Sequence, residues 1–151
     1  MSAWTRWIVV VVAAIIGLSS CTDPHSALRA RLENFPAPPD LVLFHEEERG
    51  PSSCVNGDCP SVTRYFLTEQ PLDVTCRTVR RAVDGWVSER TSEPVEWNME
   101  RDAFNACSGG IRGLAVSVFE ADQLPVLTLN DIDPSQLRGY RSAVLISVIG
   151  L

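Results

Sequence analysis

The chain has 151 residues, with 13 basic side chains, all of them arginine, against 19 acidic ones, for a formal net charge of −6. An acidic chain offers no basic patch to neutralise phosphates, which excludes nucleic acid as a partner, and a chain without lysine cannot form a Gly-Lys phosphate loop. Its length suits one domain with a core of its own, small enough to gain from covalent cross-links.

The first element in chain order is a leader. Met1 to Trp7 form a head with the single charge of Arg6, Ile8 to Leu18 are uncharged and apolar, and Leu18-Ser19-Ser20-Cys21 closes the run. A bilayer-spanning helix needs about 20 apolar residues, and Trp7 to Ser20 offers fewer, which argues against a transmembrane anchor. The four residues ending at Cys21 resemble the lipobox of bacterial lipoproteins. That resemblance implies transfer of a diacylglyceryl group to the Cys21 sulfur, cleavage just before it, and further acylation, for example by palmitate. It divides the chain into a signal peptide (1–20), a lipid-anchored tether (21–25) and a single domain (26–151). The domain is then expected on the extracytoplasmic face of the cell membrane, held by Cys21, since acyl chains contribute about 0.8 kcal/mol per buried methylene. Loss of Arg6 with the leader brings the net charge to −7. The all-arginine usage resembles that of small exported lipoproteins of high-GC Gram-positive bacteria.

Outside the membrane, the four remaining cysteines read as two disulfides. Cys54 and Cys59 bracket Asn56-Gly57, which can supply the positive φ angles of a tight reversal, so this pair should close a hairpin tip. Cys76 and Cys107 form the second pair, tying a helix to a strand.

Leu28, Leu32 and Phe35 recur at spacings of four and three, with Arg29, Arg31 and Glu33 between them, predicting a short amphipathic helix capped by Ser26. A disordered tether is the alternative here. Pro36, Pro38 and Pro39 end it. Leu41 to Phe44 reads as a first strand and Val62 to Leu67 as a second. Pro71 opens the clearest helix, on which Leu72, Cys76, Val79, Val83 and Trp86 form one stripe and Arg80 and Asp84 lie one turn apart. Val95, Trp97 and Met99 alternate as in a strand, though Val95, Met99 and Ala103 would also share a helical face.

Further on, Ile111 to Phe119 reads as one strand after Gly109-Gly110, and Leu124 to Leu129 as another. Asp133-Pro134-Ser135-Gln136 has the arrangement of a capped turn. Ala143 to Ile149 is nearly continuous apolar sequence, suited to an inner strand. This order predicts an α+β fold: an antiparallel sheet of about four to five strands with helices packed on one face, stabilised by disulfides.

Candidate chemistry is sparse. His45-Glu46-Glu47-Glu48-Arg49 offers metal-binding side chains but has Arg49 where a helical zinc motif needs a second histidine. At a strand end its carboxylates point to alternate faces, so the expectation is solvated acidic surface. His25 is expected to be exposed beside the anchor. Ser108-Gly109-Gly110 lacks the flanking glycine of a hydrolase nucleophile turn and reads as a strand-joining loop. Gly109, Gly110 and Gly113 do not have the spacing of a dinucleotide loop. Asp131 and Asp133 lack the remaining ligands of a calcium loop. Cys54 and Cys59 are spaced more widely than a redox pair, with no adjacent cation to stabilise a thiolate.

No catalytic residue, metal ligand or cofactor is assigned. A non-enzymatic lipoprotein that binds an envelope or protein partner, or supports the envelope, fits these residues best. The alternatives are an envelope hydrolase, in which the fold would gather Glu46 to Glu48 with Asp131 or Asp133, and a thiol-disulfide exchanger using Cys54 and Cys59.

Overall fold

The computed structural model describes residues 23–56, 58–100, 106–124 and 132–150. Helix α1 (Pro24–Glu33) starts earlier than the sequence suggests, because Asp23 rather than Ser26 caps it. The Asp23 carboxylate accepts from the His25 amide at 3.1 Å, Pro24 needs no donor partner at the first helical position, and the Ser26 hydroxyl donates instead to the Asp23 carbonyl. Pro24 and His25 therefore belong to the helix. Leu28, Leu32 and Phe35 are buried, as their spacing predicts.

Strands β1 (Val42–Arg49) and β2 (Ser61–Thr68) pair antiparallel from Val42 opposite Leu67 to Arg49 opposite Ser61, with a bulge between Leu43 and His45. The expected first strand thus runs five residues beyond Phe44, through the whole acidic run. At the tip, Val55 and Asp58 exchange backbone hydrogen bonds of 2.8 and 2.9 Å, Asn56 has φ 52°, and Cys54 is joined to Cys59.

Helix α2 (Leu72–Ser88) buries Cys76, Val79, Val83 and Trp86, and Cys76 is joined to Cys107 with their Cα atoms 6.1 Å apart. After it come β3 (Glu96–Asn98), β4 (Cys107–Ile111), β5 (Leu114–Glu120) and β6 (Ser142–Ile149). Residues 96–98 are a strand, the first of the two readings for this stretch.

The run from Ile111 to Phe119 is not one strand. It folds back at Arg112-Gly113, where Gly113 takes φ 77°, so Ile111 ends β4 and Leu114 begins β5. Ser108-Gly109-Gly110 accordingly lies inside β4 instead of forming a loop. Leu124 follows a short 3₁₀ turn (Ala121–Gln123) and is itself in helical conformation. The strand expected from Leu124 does not start there, and its remainder lies outside the described residues. Asp133 caps the 3₁₀ turn Pro134–Leu137 by accepting from the Ser135 amide, as its sequence predicts.

Among the described residues all pairings are antiparallel, in one six-stranded sheet of order β1-β2-β6-β5-β4-β3, so the count exceeds the expected four to five. The extra strand comes from the β4–β5 hairpin. β6 occupies the interior between β2 and β5, and Val144, Ile146 and Val148 are fully buried. Helices α1 and α2 pack on one face over a core that includes Leu32, Phe66, Val79, Val83, Val116 and Ile146. Tyr65, Leu67, Phe119, Leu124, Leu137 and Ala143 form a second, smaller core on the other face, beneath the two 3₁₀ turns. Among the described residues, no helix is long and apolar enough to cross a membrane.

Candidate functional site

The densest group of charged side chains is the acidic run of β1, an edge strand paired only with β2 among the described strands. Alternation along a strand sends neighbours to opposite faces, and here it sorts the run into two sets. Glu46 and Glu48 point to the helical face. Arg29, reaching down from α1, donates from Nε to Glu46 Oε1 at 2.9 Å and pairs also with Glu48. The second Glu46 oxygen accepts from Arg64 Nε at 2.7 Å, across the β1–β2 ladder.

Glu47 points the other way, accepting from Arg49 Nε at 2.7 Å and from the Tyr65 hydroxyl at 3.2 Å. The His45 and Tyr65 rings lie 5.8 Å apart on that face. His25 is not free in solvent as expected. Its ring is largely covered, with Nε2 3.2 Å from the Arg49 carbonyl oxygen and Nδ1 3.4 Å from Asp23.

These contacts set the charge states. Burial disfavours the Glu46 carboxylate, but the hydrogen bonds from Arg64 and Arg29, with their charges, outweigh it and hold the group below the ordinary carboxylate range. The hydrogen bond to Glu47 holds Arg49 above the usual guanidinium range. Asp133 is lowered by its bonds to Ser135.

The run is therefore more than solvated surface. Its strand alternation separates Glu47 from the other two carboxylates, while Arg29 draws Glu46 and Glu48 to one cation. Glu46 is committed at both oxygens, an arrangement that braces α1 against the sheet. Sequence reading missed Arg29 and Arg64, which lie 17 and 18 residues from Glu46 and carry no local signal of the pairing.

Asp133 is occupied as a cap, and Asp131 and Cys21 lie outside the described residues. Among the described residues, no three His, Cys, Asp or Glu side chains are grouped to hold a metal ion.

Two clefts flank the segment before β3. One, of about 630 Å³, is lined by Glu93, Pro94, Glu96, Ile111, Arg112 and Leu114. Its neighbour, of about 470 Å³, shares Glu93 and Pro94 and reaches Trp97, whose Nε1 donates to Asp84 at 2.8 Å. The Trp97 ring lies against Gly109, where an added Cβ would sit 2.6 Å from it. A smaller cleft of about 350 Å³, at the other end of the sheet, is lined by Glu120, Asp122, Tyr140 and Arg141. Mixed charge in each gives no preference for one ligand sign. No protein-family model, curated protein or solved structure matches this chain.

Proposed function

We propose that the chain is a membrane-anchored extracytoplasmic lipoprotein with a non-catalytic role, binding a partner at the cell envelope or supporting the envelope itself. The observation that carries this reading is Leu18-Ser19-Ser20-Cys21 at the end of an apolar run headed by a single arginine. The pairing of all four cysteines beyond Cys21 suits an oxidising compartment. The state of the acidic run supports the non-catalytic part, because a carboxylate held charged by two arginines is suited to bracing and not to giving or taking protons near neutral pH.

The test is acylation at Cys21. The full chain is produced in a bacterial host with lipoprotein processing, fed labelled palmitate and fractionated. Wild type should carry label and sediment with membranes, and Cys21→Ser should lose the label and leave them. An unlabelled protein beginning at Met1 overturns the reading.

A further inference from the structure

We infer that the end of the sheet bearing the β1–β2 tip, with Val55 on its flank, is the surface that lies against the lipid headgroups. This inference rests on the anchoring of Cys21. Only Thr22 separates Cys21 from Asp23, the cap of α1, and two residues span at most about 7 Å. The start of α1 is thereby confined to the membrane surface.

The rest of the domain must follow α1, because the helix cannot swing away from the sheet. Leu28 and Leu32 are buried in the core, Arg29 is tied to Glu46 and Glu48, and His25 meets the carbonyl of Arg49, where β1 leaves the sheet. The same end holds the Arg112-Gly113 turn, where the Ile149 amide donates to the Gly113 carbonyl, and the contact of Gly150 with Pro60.

Among these groups the tip stands out. Val55 is 52% exposed, a large aliphatic side chain in a loop fixed by the Cys54–Cys59 bond and by its own exchange of hydrogen bonds with Asp58. A rigidly held apolar side chain at the same end of the sheet as the start of α1 can enter the interfacial zone without an ordering cost. Asp58, Glu93 and Glu96, exposed at this end, keep the contact shallow by repelling anionic headgroups. The other exposed aliphatic pair, Val42 and Leu43, lies at the far end of β1, roughly 25 Å away at the rise of a strand. That end then faces outward.

The orientation is tested on the full-length lipidated protein reconstituted into phosphatidylcholine vesicles with and without brominated acyl chains, which quench nearby tryptophan. Flotation and the N-terminal mass report the anchor; emission reports the orientation. Val55→Trp should lose emission in brominated vesicles beyond wild type, and Val42→Trp should not. Arg112→Trp, on the same end but outside the disulfide loop, should behave as Val55→Trp and guards against a disturbed tip. If the protein floats but Val42→Trp is quenched as much as the other two, or none is quenched, the orientation is wrong while the anchor stands. If the protein is not acylated and does not float, the anchor fails and the orientation with it.

Discussion

At the residue scale, Glu46 and Gly109 carry the clearest consequences. Folded Glu46 titrates below its unfolded value, so on acidification the unfolded chain takes up the proton first. The stabilisation is complete above the ordinary carboxylate range and is lost as the pH falls through it toward the folded value. Glu46→Gln should therefore cost about 1 kcal/mol near neutral pH and clearly less in acid, below the ordinary carboxylate range, measured by urea unfolding at both. An equal loss at both values would mean that packing, not charge, holds α1 there. Gly109→Ala would press a methyl into the Trp97 ring, pushing it off β4 and away from Asp84. Overpacking of this kind costs about 1–3 kcal/mol, and the expected signs are a lower melting temperature and altered tryptophan emission.

Neither role was legible from the residues alone. The glycine pair reads as a loop until Trp97 is seen lying on it. The glutamates read as surface because their arginines come from another element.

At the element scale, legibility followed local periodicity. The α2 stripe is regular over four turns and appears in the fold as its spacing predicts, and Asn56-Gly57 between two cysteines marked the hairpin tip. The β4–β5 hairpin was missed because both arms are apolar and small. Its turn, Arg112-Gly113, carries no asparagine or proline, and only the φ of Gly113 gives it away. β1 was cut short because charged residues are poor strand formers on their own; here the ladder to β2 and two arginines compensate. The two disulfides differ in what they restrain. By loop-closure entropy the Cys54–Cys59 loop contributes roughly 2 kcal/mol and the longer Cys76–Cys107 loop roughly 3 to 4 kcal/mol. Cys76→Ala/Cys107→Ala should accordingly lower the urea midpoint more than Cys54→Ala/Cys59→Ala, and the reverse order would show that native packing dominates the chain-entropy effect.

For the molecule as a whole, the decisive feature is the place of β6. Its apolar character marked it as an inner strand, and it lies between β2 and β5 with its helical face fully buried. Deleting residues 143 to 151 should leave β2 and β5 without a shared partner and abolish folding, as seen by loss of a cooperative melt. A soluble truncation that melts cooperatively would refute this. The α+β class and the helical face were legible because they depend on pattern. The strand count and the second core were not, because they depend on which segments meet.

An interior strand that follows its neighbours β2 and β5 in the chain also orders the steps by which the sheet is completed during synthesis. Until residues 142–149 are made, β2 and β5 have no strand to bridge them, and each half of the sheet is left with its local hairpin pairing alone.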